Sequence, residues 1–282
     1  MNNLLKTSLW GSAFLLFFVF SGCGEDEATP ENFNSLEEAQ TALSGSEAEI
    51  FLALYELANV EAVASTFDGS YPSGFTPFKS SRTKRLNKNH SPHSFGYNAQ
   101  TGYWSFDTTI TDPFNLTVNL RIKFTPRDVL TGLPNESTNL MEYNIAETLS
   151  ETAEEGFLAL GYDADFNAAG IAAYRAGTGN LTINGSNKVN FSLDITLDTD
   201  HVVVDYNHSY NVHDVVLDPE ATYPQSGSFD FTIKADVSPS SYGEGFYVAG
   251  TITFDGTNIA VLEFGGYTFH LDLDTEIITP VV

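Results

Sequence analysis

A single cysteine, Cys23, stands among 282 residues, so no disulfide within the chain can staple the fold, which must rest on packing. Basic residues are scarce: 12 Lys and Arg face 37 Asp and Glu, for a formal charge of −25. A surface of that sign repels phosphate backbones and anionic head groups and attracts cations, so nucleic acid is not an expected partner. No apolar run reaches the roughly 18 to 20 residues of a membrane-spanning helix. Also missing are a Gly-x-Ser-x-Gly elbow, a phosphate-cradling glycine loop and a helical His-Glu-x-x-His. These absences remove the familiar catalytic constellations and leave, of the enzyme readings, two-carboxylate hydrolysis, for which 37 acidic residues single out no pair.

The amino terminus does carry a recognisable order: Lys6, an apolar stretch from Leu9 to Phe20, the small residues Ser21 and Gly22, then acidic Glu25, Asp26 and Glu27. Residues 1–22 therefore read as a removable export signal. Its loss takes away one charge, that of Lys6, and moves the formal charge from −25 to −26. Phe20-Ser21-Gly22-Cys23 resembles the lipobox of bacterial lipoproteins, with Phe20 where leucine is usual. The resemblance implies that Cys23 is lipidated and becomes the new amino terminus. Two or three acyl chains would make attachment durable where one is marginal. In that family an aspartate after the cysteine retains the protein in the inner membrane; Gly24 holds that position here. The resemblance thus implies an outer-membrane lipoprotein, on the periplasmic face or, given the acidic triplet, on the cell surface.

Beyond the anchor the chain divides by pattern. Residues 23–34 read as an acidic tether. Residues 35–66 are a helical segment: Ser35 precedes Glu37 and Glu38 as a cap, and Ile50, Leu54, Leu57 and Val60 recur at helical spacing. Residues 67–100, rich in Ser, Pro, Gly and Asn, read as a polar and basic loop. Residues 101–282 read as an antiparallel β domain, a curled sheet or barrel, because apolar and polar residues alternate cleanly over 116–124, 189–197 and 267–273. The stretch 179–187 resembles 250–258, which places type I′ hairpin turns at Asn184-Gly185 and Asp255-Gly256 and predicts a duplicated hairpin over 179–200 and 250–276.

Few residues point to chemistry. Lys79, Arg82, Lys84, Arg85 and Lys88 form a basic cluster suited to an anionic sugar or phosphate. Asp198, Asp200, Asp272 and Asp274 are candidate ligands for calcium. Asp163, Asp165 and Asn167 begin like an EF-hand, but Ala168 and Tyr174 occupy its glycine and glutamate positions. His201, His208 and His213 are the densest histidines, yet on a strand His201 and Asp205 share one face and His208 takes the other. Some of the abundant aromatics are available to line a cleft. The expectation is a non-enzymatic outer-membrane or surface lipoprotein that binds a small ligand, glycan or protein partner, or serves structurally. Two alternatives are a glycan-acting hydrolase and a calcium-stabilised adhesion module.

Overall fold

The computed structural model describes residues 33–70, 95–111, 114–153, 156–197, 200–239 and 245–281. Residues 1–22, read as an export signal, Cys23, most of the stretch read as a tether and the basic residues Lys79 to Lys88 lie outside these residues.

A long helix, α1 (Leu36–Thr66), comes first. The Ser35 hydroxyl accepts the Glu38 amide at 3.2 Å, satisfying one amide left over at the helix start, and the Glu38 carboxylate reaches back to accept the Asn34 amide just before the cap at 3.0 Å. Leu43, Ile50, Leu57, Val60 and Ala64 are buried, and this spacing gives α1 one apolar face while Glu37, Gln40 and Tyr55 look outward. No basic residue sits in its last turn. Arg175, from a short helix α2 (Ile171–Arg175), supplies one, donating to the Ala64 carbonyl at 2.8 Å and to the Phe67 carbonyl at 3.3 Å.

All strands belong to one antiparallel sheet in which sequence neighbours are spatial neighbours, β1 through β12. They are β1 (Gly96–Asn98), β2 (Tyr103–Ile110), β3 (Asn115–Thr125), β4 (Leu140–Ala153), β5 (Gly156–Ala169), β6 (Leu181–Leu197), β7 (Asp200–Leu217), β8 (Ser226–Ser238), β9 (Phe246–Thr253), β10 (Ile259–Phe264), β11 (Tyr267–Asp272) and β12 (Ile277–Pro280). Among the described residues β1 and β12 do not pair with each other, so the sheet is open. It is nonetheless curled. Buried residues on one face, from Leu120 on β3 to Leu271 on β11, join those of α1 in a single core, and one helix covers so wide a face only if the sheet bends around it. The two ends of the helical segment show the wrap: Phe33 stacks on Phe264 of β10, and Phe67 packs on Phe124 of β3.

The expected alternation is present on β3, β6 and β11, and the mainly β architecture is as the sequence indicates. Two details differ. The sheet starts at Gly96, inside the stretch read as loop. The duplicated hairpin is corrected: Asp255-Gly256 does lie in the β9–β10 turn, but β6 runs straight through Asn184-Gly185, where the register against β7 slips as a bulge. Gly185 is needed for a close approach, since a Cβ there would sit 2.4 Å from the Asp165 carbonyl oxygen and 2.5 Å from the Phe166 ring.

Because neighbours alternate in direction, every odd-to-even connection falls at one end of the sheet, with α2, and every even-to-odd connection at the other. α1 spans about 46 Å between them. Its start is tied to the far end, where the Phe33 amide donates to the Gly265 carbonyl in the β10–β11 turn, and its finish is at the α2 end.

Candidate functional site

At the α2 end a cleft of about 450 Å³ opens between the outer side of α1 (Phe51 to Glu61), the β7–β8 connection (Asp218 to Pro224) and the β11–β12 turn (Leu273 to Glu276). Leu54, Leu57, Phe254 and Leu273 give it an apolar lining, and three tyrosines stand around it. Each tyrosine donates its hydroxyl to a carboxylate of the same cleft: Tyr55 to Glu276 at 2.5 Å, Tyr223 to Asp274 at 2.7 Å and Tyr174 to Glu61 at 3.1 Å. Those bonds hold Tyr55 and Tyr223 above the ordinary phenol range, because losing the proton would set two anions side by side. Tyr174 is pushed up to about 12, first by its partial burial and then by Glu61. The turn that carries Asp274 and Glu276 is fixed from within, since Asp272 accepts the Asp274 and Thr275 amides and lies below the usual carboxylate range for that reason.

Among the described residues the cleft offers four carboxylates, Glu61, Asp218, Asp274 and Glu276, and none that lines it is Lys, Arg or His. Its tyrosine protons are already given away. It therefore presents negative charge, spare acceptor oxygens and ring faces, an arrangement that suits a donor-rich or positively charged organic group.

A second concentration of polar groups lies inside, beneath α1. Glu56, Glu147, Asn187 and His208 are the buried residues of this kind at mid-sheet, joined by the hydroxyls of Tyr162 and Tyr210. Burial pushes Glu147 up to about 7, with the nearby charge of Glu56 adding to it, and lowers His208 to about 4. Sequence reading missed this group, although a signal exists: Glu147 continues the buried alternation Met141, Tyr143, Ile145, and His208 sits in the run Val202 to Val212 on the buried phase.

The residues singled out from sequence are dispersed. Lys79, Arg82, Lys84, Arg85, Lys88, Cys23 and Asp198 fall outside the described residues. Asp200 starts β7 at the end of the sheet away from α2, whereas Asp272 and Asp274 belong to the turn at the α2 end, so the structure does not gather them into one calcium site. Among the described residues no group of three His, Cys, Asp or Glu converges in a way that would hold a metal ion. The histidines part as strand geometry requires: His201 pairs outward with Asp194 at 2.6 Å, His213 with Asp230 at 3.0 Å, and His208 points inward. Asp163, Asp165 and Asn167 line the exposed face of β5.

No known family matches this chain, and neither a curated protein nor a solved structure is similar to it.

Proposed function

We propose that this protein is a lipid-anchored envelope lipoprotein whose ectodomain captures a small organic cation, an amine or quaternary ammonium compound, in the cleft beside α1, without transforming it. The observation that carries this reading is the cleft itself: about 450 Å³ and, among the described residues, four carboxylates, three tyrosines whose hydroxyl protons are spent, and no basic lining residue. A neutral glycan asks a site for donors as well as acceptors, and the tyrosines here have none left to give. The formal charge of −25 draws cations from solution. The lipobox-like Phe20-Ser21-Gly22-Cys23 supports the anchor.

Cys23 precedes Phe33 by ten residues, and Phe33 is held at the end of the sheet remote from α2. A tether leaving there lets the cleft at the α2 end face away from the bilayer, toward diffusing ligand.

The test is a thermal-melt screen of the full chain in detergent with alkylammonium compounds, polyamines, neutral glycans and calcium, run beside membrane fractionation of Cys23→Ser. Ligand at 100 times its dissociation constant stabilises by about 2.7 kcal/mol. The expected result is a shift with organic cations alone and release of Cys23→Ser from the membrane fraction. A shift with glycans or calcium only would overturn the ligand assignment; an unaltered membrane fraction would overturn the anchor.

A further inference from the structure

The sheet face that α1 covers is apolar along most of its width, but at mid-sheet it is not. Glu147 on β4 is 3% exposed and Glu56 on α1 is 8% exposed. Among the described residues neither Glu147 oxygen has a hydrogen-bond partner, nor has Glu56 Oε1; the other Glu56 oxygen has there only a long contact of 3.5 Å from Asn59 Nδ2. The Tyr162 hydroxyl lies beside Glu56 without closing a well-aligned bond.

The charges around the pair are all of one kind or neutral. From α1 come Glu56 and the Asn59 amide; from β4, Glu147 and Tyr143; from β5, Tyr162; from β7, His208 and Tyr210. α1, β4 and β5 contain no Lys, Arg or His, and Lys188 of β6 is exposed. His208, depressed by burial to about 4, is neutral above that pH and supplies no cation. Among the described residues, then, nothing positive offsets two buried carboxylates near enough to repel one another. Both cannot be ionised in a packed, low-dielectric interior at tolerable cost, so a proton must remain between them.

We propose that Glu56 and Glu147 form a buried proton-binding pair that seats α1 on the sheet: while the pair holds a proton the helix stays docked, and release of that proton to solvent loosens the helix. This goes beyond the cleft reading and does not need it, although α1 also forms one wall of the cleft. Burial raises both carboxyls, Glu147 to about 7, which sets the release in the neutral range.

Infrared spectroscopy and hydrogen exchange on the full chain, titrated from about pH 5 to about pH 8, test it, since each proton released on opening favours the open form by up to tenfold per pH unit. In the wild type the carbonyl band of a protonated carboxyl is expected at the acid end and lost near neutrality, with the α1 amides exchanging at least tenfold faster after correction for intrinsic chemistry. Glu147→Gln, an isosteric neutral substitute, should remove that excess pH dependence, and Glu56→Gln should reduce it. Absence throughout the titration of a protonated-carboxyl band at the raised frequency of a buried acid without hydrogen-bond partners, distinct from that of exposed acids, overturns the proposal from the wild type alone, whatever the variants do. Unchanged exchange behaviour in folded Glu147→Gln overturns it as well.

Discussion

Asn184 on β6 and Asp214 on β7 hold each other twice: Asn184 Nδ2 donates to Asp214 Oδ1 at 2.9 Å, and the Asp214 backbone N–H donates to Asn184 Oδ1 at 2.8 Å. Asp214 has a left-handed φ of 47°, and the β7–β8 register slips between His213 and Val216, as β6–β7 slips between Ile183 and Gly185. The clasp thus joins two bulges that bend adjacent strands together toward the α2 end. Asn184→Ala should cost about 1 kcal/mol, since the exposed groups it leaves can turn to water. Gly185→Ala should cost about 2 to 3 kcal/mol, because the methyl meets the backbone of β5 and cannot be accommodated by a rotamer change. Urea unfolding of the two variants checks both; equal costs would mean that the bulge does not need glycine.

Stability against pH carries opposite signs at two buried sites. Glu147 is raised from 4.5 to about 7, so its contribution is full below pH 4.5 and is lost as pH rises through 7. His208 is lowered from 6.5 to about 4, so its contribution is full above pH 6.5 and is lost as pH falls toward 4. Each is worth about 3 kcal/mol at 1.36 kcal/mol per pH unit. Between pH 4.5 and 6.5 they oppose each other, and the raised carboxyl of Glu56 tips the balance toward loss with rising pH. Melting temperature should therefore fall most steeply from about pH 6.5 to 7, where Glu147 acts without His208. Glu147→Gln should leave a protein that loses stability on acidification below pH 6.5, and His208→Gln one that loses it on raising the pH from 4.5. Calorimetric melts at several pH values would find the signs; the same trend in both variants would refute them.

What was legible in the sequence was what period alone encodes. Alternation located β3, β6 and β11, and the spacing of Ile50, Leu57 and Val60 with the Ser35 cap located α1. Dipeptide chemistry did less well: Asn184-Gly185 has the residues of a type I′ turn, but β6 continues to pair with β5 and β7 through it, and tertiary pairing overrides the local preference. The cleft was hidden for a different reason. Tyr55, Tyr223 and Glu276 are separated by long stretches of chain, and only the curl of the sheet around α1 brings them together.

Phe67 closes α1 at the α2 end, where its ring contacts Phe95, Trp104 and Phe124. Trp104 is the only tryptophan after residue 22 and also donates to the Gly132 carbonyl at 3.2 Å, so its fluorescence reports this corner. Phe67→Ala should destabilise by about 3 to 5 kcal/mol and shift Trp104 emission to the red as water enters the cavity left behind. A loss below about 1 kcal/mol would mean that the corner collapses around the smaller residue, and that α1 is held chiefly elsewhere.

Asp274 and Glu276 should decide affinity in the cleft while contributing little to the fold. Both are exposed, and their partners Tyr223 and Tyr55 can solvate freely, so Asp274→Asn and Glu276→Gln should change stability by no more than about 0.5 kcal/mol. Removing either charge should weaken binding of an alkylammonium compound about tenfold, with the wild-type affinity itself falling as salt is raised from about 50 to 500 mM. Tyr55→Phe separates charge from hydrogen bonding: it frees Glu276 to accept from the ligand while keeping the ring face, so affinity should hold or rise. Isothermal titration of the three variants at two salt concentrations makes the comparison. If Tyr55→Phe weakens binding as much as Glu276→Gln does, the hydroxyl itself contacts the ligand, and the cleft recognises acceptors as well as donors.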